Sequence, residues 1–213
     1  MPAKYRVGII GCTGKGDYGH GLDVVWKEIP QAEVIAVADE HSGGLARAVQ
    51  KTGAKRAYSD YREMLDKEQL DIAAVALRWI DQHRDMVVAC AEHGCHVYME
   101  KPFCRTLEEA DEMVRALEMR HLKLAIAHTT RYTPALPAVQ KVIEGGEIGD
   151  VLEIRARGKE DANRGGGEDL WVLGSHMLDL MRVFAGDADT CYAVVKADGR
   201  PVTRADVHDG NEG

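Results

Sequence analysis

The 213-residue sequence predicts an α/β protein: a doubly wound parallel sheet over residues 1–127, then a smaller α+β domain over 128–213. Three observations carry this expectation. Residues Arg6 to Asp23, RVGIIGCTGKGDYGHGLD, read as a buried strand, a glycine cluster and an amphipathic segment. A second apolar run, AEVIAVADE, follows and ends in the acidic pair Asp39-Glu40. Strand-like and helix-like segments then alternate as far as Ala127, where the rhythm changes.

Each element has its own warrant. Val7, Ile9 and Ile10 form a β-branched run suited to a strand covered on both faces, and Leu22, Val25, Trp26 and Ile29 share one stripe at helical spacing. Ser42 to Lys51 is a short helix stopped by Gly53, and Ala57-Tyr58 is a minimal strand. Asp60 and Glu63 resemble a capping box for a helix over Tyr61 to Lys67. DIAAVAL (Asp71 to Leu77) is a buried strand, Asp81 to His93 a helix ended by Gly94, and CHVYM (Cys95 to Met99) the next strand. Thr106 and Glu109 cap a helix through Leu107, Ala110, Val114 and Leu117, and Leu122 to Ala127 is a further strand. Beyond His128 a helix over Pro134 to Glu144 is expected, then a period-two strand over Val151 to Lys159 with one wet face. A triple-glycine loop precedes an apolar helix from about Asp169 to Phe184, and Thr190 to Lys196 is read as a strand.

Composition narrows the partners. A net charge of -8 argues against nucleic acid or an anionic membrane as the main partner, since either favours a basic face. No stretch approaches a membrane span and no leader is evident, so a cytoplasmic protein is expected. The five cysteines, Cys12, Cys90, Cys95, Cys104 and Cys191, lack paired CxxC spacing and read as reduced thiols rather than disulfides or a zinc site.

The glycine cluster is the first candidate site. The GxGxxG pattern fits in two registers: Gly11, Thr13 and Gly16 counted from the strand end, or Gly14, Gly16 and Gly19 three residues later. Glycines there let a backbone close around a pyrophosphate, and Asp39 at the end of the second run is placed to accept hydrogen bonds from an adenosine ribose. Together these features predict dinucleotide binding. An acid at position 39, reinforced by Glu40, repels the extra phosphate of NADP, so NAD is the expected cofactor. Lys15 either reaches a phosphate or points into water, and His20 either faces the cofactor or starts a helix in solvent. At a neighbouring strand end, Glu100, Lys101 and Pro102 read either as a solvated charged pair or as a lysine set to meet a substrate hydroxyl.

RVGIIG at the start, VADE at the second strand, GCHVYMEKP and GSHMLDLMRVFAG together resemble the Gfo/Idh/MocA family of sugar and inositol dehydrogenases over essentially the whole chain. The resemblance implies an N-terminal NAD(P)-binding Rossmann domain and a C-terminal domain whose open sheet often mediates oligomers. It implies that Lys101 contacts the reacting hydroxyl before a cis Pro102, and that His176 is the acid/base. The family commonly carries an aspartate four residues before that histidine; Val172 stands there instead. Asp169, seven residues before His176, can touch a substrate but lies about 10 Å from it along a helix axis, and Asp179 reads as a helix anchor. His83 matches a family histidine that lines the nicotinamide side or packs, and Arg78-Trp79 replaces the family's usual Thr-Pro. Arg131 either holds a substrate oxygen or makes a surface salt bridge.

The resulting expectation is an NAD-dependent oxidoreductase acting on a secondary hydroxyl of a sugar, inositol or polyol. Cofactor contacts are expected from Gly11, Thr13, Gly14, Gly16, Asp39, His83, Glu100 and Lys101, catalysis from Lys101 and His176, and substrate contacts from Arg131 and Asp169. A redox-neutral glycoside-cleaving relative and a non-catalytic nucleotide-binding protein are the alternatives. The second domain stops after two strands and two helices, so a truncated chain of a homo-oligomeric protein is expected.

Overall fold

The computed structural model describes residues 4–158, 172–197 and 199–206. It divides into two units, Met1–Ala127 and His128–Gly213.

The first unit is a six-stranded parallel sheet with helices on both faces. In chain order its elements are β1 (Tyr5–Ile10), β2 (Ala32–Ala38), α1 (Ser42–Thr52), β3 (Arg56–Tyr58), α2 (Tyr61–Lys67), β4 (Ile72–Val75), α3 (His83–Glu92), β5 (His96–Met99), α4 (Leu107–Glu118) and β6 (Leu124–Ile126). The strand order is β3-β2-β1-β4-β5-β6, so the chain reverses its direction of sheet growth between β1 and β4. Ligands of such sheets bind in the crevice outside that reversal point, at the strands' carboxyl ends.

Alternation along each strand divides the core in two. Val7 and Ile9 of β1 and Ala74 of β4 face Leu22, Trp26 and Ala48, while Ile10, Ala73 and Val75 face Met64, Met86, Val87, Cys90, Met113 and Leu117 of α2, α3 and α4. These side chains are almost wholly buried, and each buried Val, Leu, Ile or Met contributes about 1.5–3 kcal/mol. The predicted caps form: Asp60 accepts from Arg62 N (2.8 Å) and Thr106 from Glu109 N (3.2 Å). His41, not foreseen as a cap, accepts from Gly44 N at the start of α1.

One expected helix of this unit is absent. After the glycine loop the chain makes successive turns and then a single 3-10 segment, Val25–Glu28, where the stripe Leu22, Val25, Trp26, Ile29 had predicted a helix. The cause is local. Asp17, His20 and Gly21 have positive φ (48, 32 and 84°), so a right-handed helix cannot begin before Leu22, and Pro30 disfavours helix at Ile29. Burial follows the stripe only in part, since Leu22 and Trp26 are buried and Val25 is exposed.

In the second unit α5 (Ala135–Glu144) and α6 (Gly174–Ala185) form as expected over the described residues. The strand expected over Val151 to Lys159 does not: residues 151–158 carry no regular structure, and Leu152 is 94% exposed. A period-two pattern makes a strand only where another strand accepts its hydrogen bonds, and none among the described residues does so. The strand expected over Thr190 to Lys196 is likewise reduced to β7 (Lys196–Ala197), paired antiparallel with β8 (Arg200–Pro201).

Candidate functional site

The glycine loop crosses the carboxyl edge of the sheet and is fastened at several points. Gly11 N donates to Ala38 O at the end of β2 (3.0 Å), and Gly19 N donates to Ala76 O just past β4 (2.6 Å). Arg78 Nε donates to Gly16 O (2.9 Å), and a Cβ added at Gly16 would lie 2.5 Å from Trp79 N. Gly16 is therefore glycine because the backbone after β4 packs against it, and its φ of 80° suits glycine as well. Gly14, at φ 84°, is exposed with nothing beside its Cα, so only its backbone conformation requires glycine. Its amide donates to Asp17 Oδ1 (3.0 Å).

Asp39, 2% exposed at the end of β2, gathers the loop around it. Its carboxylate accepts from Thr13 N (3.2 Å to each oxygen), Thr13 Oγ1 (2.6 Å), Tyr18 Oη (2.9 Å) and His41 N (2.9 Å). Burial, then the Asp39 charge, pushes the Tyr18 phenol far above its ordinary range, so it remains a donor. Asp39 also lines a small open cleft with Gly11, Cys12, Ser59, Tyr61 and Met86. Burial, followed by Glu40 and Asp39, raises the Cys12 thiol and keeps it protonated.

At the end of β5 the three sequence-predicted residues are buried, not solvated. Glu100 is 0% and Lys101 1% exposed, and the Lys101–Pro102 peptide is cis. Glu100 accepts from Lys101 N (Oε2, 2.9 Å) and from His20 Nδ1 (Oε1, 2.6 Å). Gly19 lies so close that a Cβ there would fall inside the Glu100 carboxylate. His83 is fully buried, with Nε2 2.9 Å from Leu77 O and Nδ1 2.9 Å from Pro102 O. Each ring nitrogen thus faces a carbonyl oxygen, and His83 packs against the turn that follows Lys101.

In the second unit, His176 lies in the first turn of α6 and meets His128 edge-on, with ring centroids 5.7 Å apart. Arg131 Nε donates to both oxygens of Asp179 at 2.8 Å, so the guanidinium expected at a substrate is held by the helix-anchoring aspartate. Asp169 lies outside the described residues.

Sequence reading missed Tyr18, Asp17 and the His20–Glu100 pair as partners of the site. Tyr18 and Asp39 are twenty-one positions apart and meet only through folding, and no spacing rule links them. Only the structure shows the link, in that a Cβ at Gly11 would collide with the Tyr18 ring.

These residues fit the adenosine half of a dinucleotide: a buried carboxylate at the β2 end borders a cleft at the sheet's reversal point. The pyrophosphate half meets amides at Thr13 and Gly14 that already face carboxylates, and a 3-10 turn in place of a helix N-terminus.

A doubly wound sheet with an acid-terminated β2 and a glycine loop defines a nucleotide-binding domain of the Rossmann type. The chain belongs to the oxidoreductase family with an NAD-binding Rossmann fold, whose model matches residues 5–128. D-apiose dehydrogenase of Paraburkholderia graminis is 29% identical, covering 96% of this chain and 56% of its own. Levoglucosan dehydrogenase of Pseudarthrobacter phenanthrenivorans is 28% identical, covering 78% and 46%. The structure of an oxidoreductase from Agrobacterium radiobacter, in complex with NAD+, L-tartaric acid and magnesium, superposes with a TM-score of 0.73 at 24% identity, covering 87% of this chain and 56% of that one. The chain spans about half the length of these relatives. Among the described residues no helix is long and apolar enough to cross a membrane.

Proposed function

We propose that the chain binds NAD and serves a dehydrogenase acting on a secondary hydroxyl of a sugar, inositol or related polyol. The observation that carries the reading is the pair of buried acid-bearing strand ends on one parallel sheet: Asp39 after β2, and Glu100 with Lys101 and cis Pro102 after β5. The dehydrogenase names of the family relatives supply the substrate class.

In this reading Asp39 holds the adenosine ribose and the cleft beside Cys12, Ser59 and Tyr61 takes the base. Bound NAD supplies the hydride acceptor. Lys101 donates to the substrate hydroxyl, and the buried Glu100 and His83 fix the turn that carries it. His176 accepts the hydroxyl proton as general base. The acid at position 39 favours NAD over NADP. The five cysteines are free, which suits a cytoplasmic protein.

The test pairs binding with turnover. Calorimetric titration with NADH and NADPH comes first, then a polyol panel followed by NADH absorbance. Lys101→Met should keep NADH affinity within about threefold while turnover falls by about two orders of magnitude or more. Full turnover in that variant on a confirmed substrate would remove Lys101 from the chemistry.

A further inference from the structure

We infer that Tyr18, with Thr13, is a positioning residue for cofactor choice: the two side chains lock the Asp39 carboxylate so that it cannot swing aside for a 2′-phosphorylated ribose. The inference rests on the dinucleotide reading above and assigns a role to loop residues that the reading leaves unused.

A carboxylate offers about four acceptor directions. At Asp39 they are met by four donors from three residues: the Thr13 amide and hydroxyl, the Tyr18 hydroxyl and the His41 amide. The carboxylate is 2% exposed, yet it borders the cleft proposed for the adenosine. A lone aspartate at a strand end can rotate away from an incoming phosphate. Asp39 cannot do so without giving up donors on both sides of the loop.

The packing around the clamp shows that it is built rather than incidental. A Cβ at Gly11 would collide with the Tyr18 ring, so that glycine makes room for the phenol. A Cβ at Gly44, in the first turn of α1, would collide with Thr13 Oγ1 and lie 3.0 Å from Asp39 Oδ2. Two glycines on separate elements thus leave space for the two hydroxyl-bearing side chains that hold one carboxylate.

A ribose 2′-hydroxyl can take the place of one of these donors and asks no movement of the carboxylate. A 2′-phosphate brings negative charge and acceptor oxygens only, and it must either displace Asp39 or sit against it. With the clamp intact both routes are closed. Removing the Tyr18 hydroxyl leaves the ring over Gly11 but takes one donor from Asp39 Oδ2, so that Thr13 alone still holds that oxygen.

The experiment measures dissociation constants of NADH and NADPH for the 213-residue chain and for Tyr18→Phe, with circular dichroism to confirm folding. Expected is a wild-type preference for NADH that narrows by about tenfold or more in the variant, through tighter NADPH binding and with NADH within about threefold of wild type. An unchanged ratio, or equal shifts for both cofactors, would show that the Tyr18 hydroxyl only stabilises the loop and would overturn the inference. Tighter binding of NADH alone would make Tyr18 a competitor for the ribose site, and would overturn it too. Wild type binding neither cofactor would defeat the dinucleotide reading and the clamp together. Normal NADH binding with an unmoved ratio defeats the clamp alone.

Discussion

Gly19→Ala is the sharpest probe of how the glycine loop meets the β5 end. Gly19 has no positive φ, so an alanine meets no backbone strain there, and the whole effect comes from what its Cβ touches. That Cβ would overlap Oε1, Cδ and Cγ of Glu100. To restore ordinary contact the carboxylate must withdraw by about 1 Å. It is fully buried and bonded to His20 Nδ1 at 2.6 Å and Lys101 N at 2.9 Å, so a shift of that size weakens or breaks both bonds. Overpacking costs about 1–3 kcal/mol, and a hydrogen bond to a charged group is worth about 1.5–3 kcal/mol. A loss near 3 kcal/mol is expected, because the loop relieves part of the overlap by moving. In urea denaturation followed by circular dichroism, Gly19→Ala should therefore lower stability by about that amount. Glu100→Ala in the same background removes the obstacle, so the two changes should couple favourably by more than about 1 kcal/mol. A single variant within about 0.5 kcal/mol of wild type, or strictly additive changes, would refute the close approach of Gly19 to Glu100.

Two further outcomes follow from charge and burial. Hydrogen bonding by Arg56, helped by Tyr58, holds Glu68 below the ordinary carboxylate range, against the opposing effect of its burial. A depressed folded value means this stabilisation is present above the unfolded value of about 4.3 and is lost as pH falls through the folded one. Wild type should exceed Glu68→Gln in urea midpoint at pH 6, and the gap should shrink below pH about 4; a constant gap would contradict the ion pair. Among the thiols, burial pushes Cys95 up to about 11 and Cys90 well above the ordinary thiol range, while Cys191 is exposed. A thiol reagent should label one site fast in the native chain, identified as Cys191 by peptide mapping, and early labelling of Cys90 would refute the packing of α3 on the sheet.

What was legible in the sequence was local or periodic. The β-branched run of β1, the alternation through β6, the caps at Asp60 and Thr106 and the stop at Gly53 each depend on neighbours a few positions away. The acid after β2 and the lysine after β5 were legible because strand ends are where such a sheet presents side chains. Three things were not. The helix after the loop failed because Asp17, His20 and Gly21 take left-handed conformations that no periodicity reveals. The strand over 151–158 failed because pairing is a property of two segments, and the pattern of one does not supply the other. The partners of Glu100 and His83 were not legible, because His20 and the Leu77 and Pro102 carbonyls come from other parts of the chain.

The residues that made the glycine loop look irregular have a geometric explanation. The loop touches the Asp39 carboxylate after β2 through Thr13 and Tyr18, the end of β4 through Gly16 and Gly19, and Glu100 after β5 through His20. In the order β2-β1-β4-β5 these anchors lie three strand intervals apart, about 14 Å at the usual spacing of roughly 4.8 Å. A chain advances at most about 3.5 Å per residue, and this one also turns through three left-handed residues, Gly14, Gly16 and Asp17, before Tyr18. The stretch Lys15 to Tyr18 supplies both the length and the phenol. Hence a loop that departs from a bare dinucleotide turn does so because it ties the Asp39 carboxylate and the lysine-bearing strand end into one hydrogen-bonded edge. A substitution at either end should be felt at the other.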